Sequence, residues 1–295
     1  KNMRCNQSVV GTLGDKKIIA YNVKFENGFE VEVLNLGGVI TKIITPDKDN
    51  NFENIVLGYE DINDYIENPY YYGAIIGRTS GRICEGNIKI EDIEYKLNKN
   101  YGLHQGHGGN YGFNHKIWNV QVKENKAFIS LILSRKSPHM EENYPGELDV
   151  EVVFNIYENY KIEEIYTCTI DQTTLVNMTN HSYFNLSGNI KRPVTECYLK
   201  LDSDEILELD ETCVPTGRKI NVDNTPFDFR KTKLIGKDID NIENEQIKIG
   251  NGYDHAFMLK DNKSIYMEDE KSKRNMTINT NQESVVIYTM NYEHE

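Results

Sequence analysis

Short runs in which apolar and polar residues alternate recur from end to end of this chain, and that period of two limits its fold more than any other feature. Successive side chains of a strand face opposite ways, so alternation marks a half-buried strand, whereas a helix needs apolar residues three and four apart. Between Lys17 and Thr45, Phe29, Val31 and Val33 fall on one face, and Asn35-Leu36-Gly37-Gly38 turns the chain into the run Val39 to Ile44. Two antiparallel strands joined by a tight turn are the simplest account. Phe128 to Leu133 and Val150 to Ile156 repeat the pattern, and Glu158-Asn159-Tyr160 supplies a turn into Ile162 to Ile170, which predicts a long hairpin. Further strands are expected over Thr195 to Leu201, Ile206 to Leu209, His255 to Leu259, Met276 to Asn279 and Ser284 to Tyr288, with helix confined to a turn or two near Asp61 to Ile66. Many short strands with polar turns predict an all-β fold, a large antiparallel β-sandwich. Sandwiches of 295 residues commonly form one unit, so a single domain over residues 1–295 is expected.

Charge narrows the partners. The formal net charge is -13, and no face dense in Lys and Arg is visible, so nucleic acid and anionic membranes are disfavoured and a neutral small molecule is the easier partner. The basic cluster Lys271-Ser272-Lys273-Arg274 follows Glu268-Asp269-Glu270 and reads as a solvated turn. Five widely spaced cysteines (Cys5, Cys84, Cys168, Cys197 and Cys213) form no CxxC pair, which signals neither a disulfide framework nor zinc and is expected to mean buried thiols in a reducing compartment. No run of 18 apolar residues and no charged-then-apolar leader occurs, so the expectation is a cytoplasmic protein that does not span a membrane. The chain begins at Lys1, not Met, which leaves room for a removed leader.

Chemistry concentrates in a few stretches. Thr179-Asn180-His181-Ser182-Tyr183-Phe184-Asn185-Leu186-Ser187-Gly188 follows the apolar run Leu175 to Met178, which is expected to be a strand delivering His181 into a polar pocket. An imidazole exists in both protonation states near neutrality and can give and take a proton; a histidine satisfied by Asn180 or Ser182 at a strand end is the structural alternative. The glycine-dense loop from Gly102 to Phe113 carries His104 and His107. No Cys, Asp or Glu lies nearby to complete a metal set and no lysine or helix follows to cradle phosphate, so a ligand approached by glycine backbone and an imidazole hydrogen bond is the better reading. In Gly77-Arg78-Thr79-Ser80-Gly81-Arg82-Ile83 two permanent cations stand four apart, and a salt bridge to a neighbouring acid is expected for Arg78. Asp254, in Asn251-Gly252-Tyr253-Asp254-His255, could orient a histidine, accept from a polyol or cap a turn.

Taken in order, GRTSGRI (77–83), HGGNYGF (107–113) with Trp118 following, SPHMEENYPGELDV (137–150), LVNMTNHSYFNLSG (175–188), Pro215-Thr216-Gly217, TPFDFR (225–230), NGYDHAF (251–257) and IYTMN (287–291) resemble the aldose 1-epimerase (galactose mutarotase) family. The resemblance spans nearly the whole chain and implies a β-sandwich of that type with an open sugar-binding cleft. It also implies cofactor-free interconversion of the α and β anomers of hexoses such as galactose and glucose. His181 resembles the catalytic acid, His107 its catalytic partner, and Arg82 and Asp254 substrate-binding residues; no metal is implied. His107 is preferred to His104 because it begins the Gly-Gly-x-x-Gly-Phe pattern 25 positions after Arg82, although His104 stays open.

Three departures stand out. Gly81 occupies the family's asparagine position before the second arginine, and Val286 its glutamine position. The family's catalytic base is a glutamate some way beyond the last strand, to which no residue here corresponds, Glu293 and Glu295 lying too close behind it. The base is therefore unknown, and the chain is expected to lack the family's C-terminal segment. A non-catalytic sugar-binding protein is the alternative function. A sugar phosphate is disfavoured by 33 Lys+Arg against 46 Asp+Glu. The preferred hexose and a homodimer stay open.

Overall fold

The period of two becomes antiparallel sheet in both units into which the chain divides, Lys1–Phe184 and Asn185–Glu295; the computed structural model describes residues 2–292. In the first unit a meander runs through Met3–Leu13, Lys16–Phe25, Glu30–Leu34, Ile40–Pro46 and Phe52–Asn54, each strand pairing with the one before. Phe29, Val31 and Val33 are buried on one face as expected. The stretch from Lys17 to Thr45 nevertheless holds three strands, not two, because Ile18-Ile19-Ala20-Tyr21 is apolar on both faces and conceals its period. At the turn, Gly37 has φ 64° and Gly38 φ 57°, and a Cβ on Gly37 would stand 2.4 Å from the Asn114 carbonyl oxygen, so only glycine fits.

A second sheet of this unit orders Asn119–Glu124, Phe128–Ser137, Leu148–Tyr157 and Lys161–Ile170. The expected long hairpin is there, Leu148 opposite Ile170 and Tyr157 opposite Lys161, with Tyr160 at φ 65° in its turn. Leu131, Leu133, Val152 and Ile156 are wholly buried, each worth about 1.5–3 kcal/mol of burial before entropy is counted. The two sheets meet where Phe29 packs edge-on to Tyr160 at 5.2 Å and where Gly38 lies against the Leu133 side chain.

The second unit builds one sheet from Lys233–Leu234, Tyr198–Leu201, Ser264–Glu268 and Asn275–Asn279, and another from Pro215–Asn221, Glu205–Leu209, Asp254–Met258 and Ser284–Tyr288. Phe227, Phe229, Tyr253 and Phe257 interlock as its aromatic core. The strand Pro215–Asn221 lay outside the expected strands, because its almost wholly exposed side chains carry no apolar alternation. The strand expected from Thr195 starts at Tyr198, after the 3-10 turn Val194–Glu196. Asp64–Glu67 supplies the expected helical turn; Glu245–Gly250, too short to show a period, was not foreseen. It forms because the Asn244 side chain accepts from the amides of Gln246 and Ile247 at 3.0 and 3.2 Å.

Two expectations about side chains are corrected. The turn at residues 271–274 is only half solvated: Lys271 and Lys273 are exposed, but Arg274 is buried and donates to the carbonyls of Leu186 and Ser187, and Ser272 Oγ donates to the Leu186 carbonyl. Among the cysteines, none in a disulfide, Cys197 and Cys213 are buried but Cys84 is exposed, on a short turn next to exposed Glu85. Among the described residues no helix is long and apolar enough to cross a membrane.

Candidate active site

His181 is held by its backbone. Leu175 to Met178 is not a strand: Asn177 makes a single parallel bridge to Thr79, and the first laddered pair is Thr179–Asn180 with Ile75–Ile76. Immediately after it, the His181 amide donates to Ala74 O at 2.8 Å and its carbonyl accepts from Gly73 N at 3.2 Å. Asn180 closes the clamp, donating from Nδ2 to Gly73 O and accepting from Ser182 N, each at 3.0 Å. The imidazole thus projects from a backbone fixed on both sides, a stiffer mounting than a free loop gives.

His107 arrives from the glycine-rich loop. Arg82–Ile83 pairs with Gln105–Gly106, and beyond that pair the His107 amide donates to Gly81 O at 3.0 Å while Gly81 N donates back to His107 Nδ1 at 3.1 Å. Since Nδ1 accepts, the neutral ring carries its hydrogen on Nε2. His107 itself has φ 46°, and Gly108 follows at φ 88°, where a Cβ would fall 2.0 Å from the Gly77 carbonyl oxygen. That close approach is why a glycine must follow this histidine.

The rings of His107 and His181 meet edge to face, with centroids 5.0 Å apart and planes at 88°. Tyr71, at φ 60°, packs on both, 4.7 Å from His107 and 5.7 Å from His181, and Tyr183 flanks His181 at 5.0 Å. In the sequence Tyr71 is only the middle of the run Tyr70-Tyr71-Tyr72, with nothing to set it apart, and folding alone brings its ring against two distant histidines. The Arg82 guanidinium lies over the Tyr101 ring, 4.6 Å from its centroid. Gly81, where a side chain would meet nothing within 4 Å, leaves open space beside His107.

Electrostatics leave both imidazoles neutral. Both residues are half-buried. Burial pushes His181 down to about 4. For His107 burial, then the neighbouring His181 and the Arg82 cation, hold the pKa well below the ordinary histidine value. With its Nδ1 taken by the Gly81 amide, neutral His107 can donate from Nε2, and a neutral His181 ring can donate from one nitrogen and accept at the other, which suits hydroxyl groups better than anions.

The remaining candidates are placed as follows. His104 is buried, and its Nδ1 accepts from Glu85 N at 2.9 Å. Arg78 is buried without the expected salt bridge: it donates to the carbonyls of Ser137, Pro138, Pro145 and Gly146 and to the hydroxyls of Ser137 and Thr174, as the close turns of residues 137–146 present carbonyls where an acid was expected. In the second unit, buried Asp254 opens the strand Asp254–Met258, its amide donating to His255 Nδ1 at 3.2 Å, and His255 Nε2 meets Gln246 Oε1 at 3.1 Å. Val286 lies exposed on Ser284–Tyr288 opposite Ala256. Glu293 and Glu295 lie outside the described residues.

Comparison with known proteins identifies the family. The family model described as Aldose 1-epimerase matches residues 20–295. Galactose mutarotase of Bos taurus is 34% identical over 266 residues, covering 89% of this chain and 75% of that protein. Aldose 1-epimerase of Streptococcus thermophilus is 29% identical over 295 residues, covering 98% and 82%. The crystal structure of galactose 1-epimerase from Lactobacillus acidophilus NCFM superposes with a TM-score of 0.84 at 26% identity, covering 98% of this chain and 84% of that one.

Proposed function

Because the chain belongs to the aldose 1-epimerase family, we propose that it interconverts the α and β anomers of aldohexoses such as galactose and glucose, with His107 and His181 at the reacting centre. The observation that carries the assignment of residues is the edge-to-face contact of the two imidazoles, 5.0 Å apart, in a chain whose family match runs over residues 20–295.

Ring opening removes the proton of the anomeric hydroxyl, breaks the C1–O5 bond as C1=O forms, and places a proton on O5. Rotation about C1–C2 then exposes the other carbonyl face, and re-closure reverses the transfers, so nothing is oxidised or reduced. His181 serves as the acid at O5. With its pKa near 4 in the unliganded protein, it needs a carboxylate within about 4–6 Å to hold the proton at neutral pH. His107 is neutral and, with the hydrogen on Nε2, donates to a sugar oxygen. Arg82 is the fixed donor that steadies negative charge as the hydroxyl proton leaves. Asp254 is assigned to a sugar hydroxyl on its motif, and the base at the anomeric hydroxyl is assigned to no described residue. The proposal extends to a cytoplasmic location, which the absence of disulfides among the described cysteines supports. It leaves room for a homodimer.

Polarimetry on freshly dissolved α-D-galactose and α-D-glucose tests it. Wild type should hasten the approach to equilibrium, and His181→Ala should remove about 10²- to 10⁴-fold of that rate. Sugar binding without acceleration by wild type would replace the enzyme with a sugar-binding protein.

A further inference from the structure

A third ring completes the contact between the two imidazoles, and the reaction as described gives it no part. His107 and His181 stand 5.0 Å apart at 88°, and Tyr71 closes a triangle with them, 4.7 Å from His107 at 66° and 5.7 Å from His181 at 35°. All three residues belong to the first unit. We propose that Tyr71 is a positioning residue of this site, an anchored aromatic wedge whose contact with both imidazoles fixes their orientation for proton transfer. The inference rests on the epimerase reading for the reaction, and on the ring geometry for the role.

Tyr71 is held in a conformation that its own side chain disfavours. Its φ of 60° lies in the left-handed region, which a bulky residue rarely enters. Such a backbone persists only where the surroundings over-determine it, and it gathers at places where position matters more than local stability. The surroundings here do so. Tyr71 N donates to Asn68 O at 2.9 Å, and Tyr71 O accepts from Ala74 N at 3.2 Å. On one side, the Tyr70 carbonyl accepts from Tyr183 Oη at 2.9 Å. On the other, buried Asn68 grips Tyr72, donating from Nδ2 to Tyr72 O at 3.0 Å and accepting from Tyr72 N at 2.9 Å. The residues before, at and after Tyr71 are each tied down, so the ring is presented from a fixed base.

Those ties lead back to the histidines. Tyr183, which anchors Tyr70, flanks the His181 ring at 5.0 Å. Gly73, two residues beyond Tyr71, donates to the His181 carbonyl at 3.2 Å. Backbone bonds of this kind fix where His181 leaves the chain, but an imidazole on a fixed Cα can still turn about its side-chain torsions. For His107 the Gly81 amide at Nδ1 restrains that rotation; for His181 the packed rings of Tyr71, Tyr183 and His107 do so. Tyr71 also covers imidazole surface, and so shares in the burial that lowers both pKa values.

The test compares wild type with Tyr71→Phe, Tyr71→Ala and Tyr71→Asn. Asparagine is at home in the left-handed region, so Tyr71→Asn removes the ring while keeping the backbone, even where Tyr71→Ala folds poorly. In mutarotation of α-D-galactose, Tyr71→Ala and Tyr71→Asn should lose about 10- to 100-fold in kcat with KM within about threefold, and Tyr71→Phe should recover kcat to within about threefold of wild type. In NMR titrations of the imidazole Hε1 resonances, loss of the ring should raise the His181 midpoint from near 4 by about one unit and move His107 upward with it, and Tyr71→Phe should reverse both changes. A residue serving stability alone would lower the urea midpoint and leave kcat and both titrations as in wild type. That result overturns the proposal, as does a loss confined to KM, or a Tyr71→Phe as slow as Tyr71→Ala. If wild type does not accelerate mutarotation, the epimerase reading falls alone, and the titrations still decide whether Tyr71 holds the imidazole pair.

Discussion

Acidification should expose the cost of burying His181. Its pKa is about 4 in the folded protein against an ordinary 6.5, so the folded state prefers the neutral ring. Above about pH 7 both folded and unfolded chains are neutral there, and no proton difference exists. As pH falls through 6.5 the unfolded chain takes up a proton that the folded chain refuses, and stability is lost until the folded ring itself titrates near 4. At 1.36 kcal/mol per pK unit, the loss is about 2 kcal/mol by about pH 5 and about 3 kcal/mol below pH 4. Carboxylates contribute in the same direction, Glu141 among them, its pKa held down by bidentate Arg135 against the opposing effect of burial. The histidine's share is isolated by comparison with His181→Gln. Urea unfolding at about pH 7.5 and about pH 5 should show wild type losing about 2 kcal/mol more than the variant. A titration of the imidazole Hε1 resonance by NMR should place the His181 midpoint near 4. A midpoint between about 6 and 7, or equal acid losses in the two proteins, would refute the claim that burial keeps this ring neutral.

Two further substitutions probe the scaffold that presents the pair. Gly108→Ala forces a side chain into φ 88° with its Cβ 2.0 Å from Gly77 O, and should cost about 2 kcal/mol or more, read as a lower urea midpoint. Arg78→Lys keeps the charge but loses the planar fork that reaches four carbonyls and two hydroxyls; a loss of about 3 kcal/mol or more is expected in the same assay, and a loss under about 1 kcal/mol would deny Arg78 its role in tying residues 137–146 and 174 together.

Much of this protein was determined by sequence alone, for a local reason. Period-two alternation in Phe29, Val31 and Val33, and in the hairpin through Tyr160, specified strands because burial on one face of a strand depends only on its own residues. The ordered motifs around Arg82, His107, His181 and Asp254 likewise specified the family. Strands with apolar residues on both faces, such as Lys16–Phe25, or with almost none, such as Pro215–Asn221, had no alternation to read and depended on their neighbours. The site followed the same division. The motif favoured His107 over His104, but tertiary structure supplied the contacts: His107, its Nδ1 occupied by Gly81, meets His181, while His104 is turned inward onto Glu85. Tertiary structure also set Tyr71 against both imidazoles, and chose carbonyls over an acid for Arg78. Those outcomes depend on residues tens of positions apart being brought within a few ångströms, and spacing along the chain carries no record of that approach.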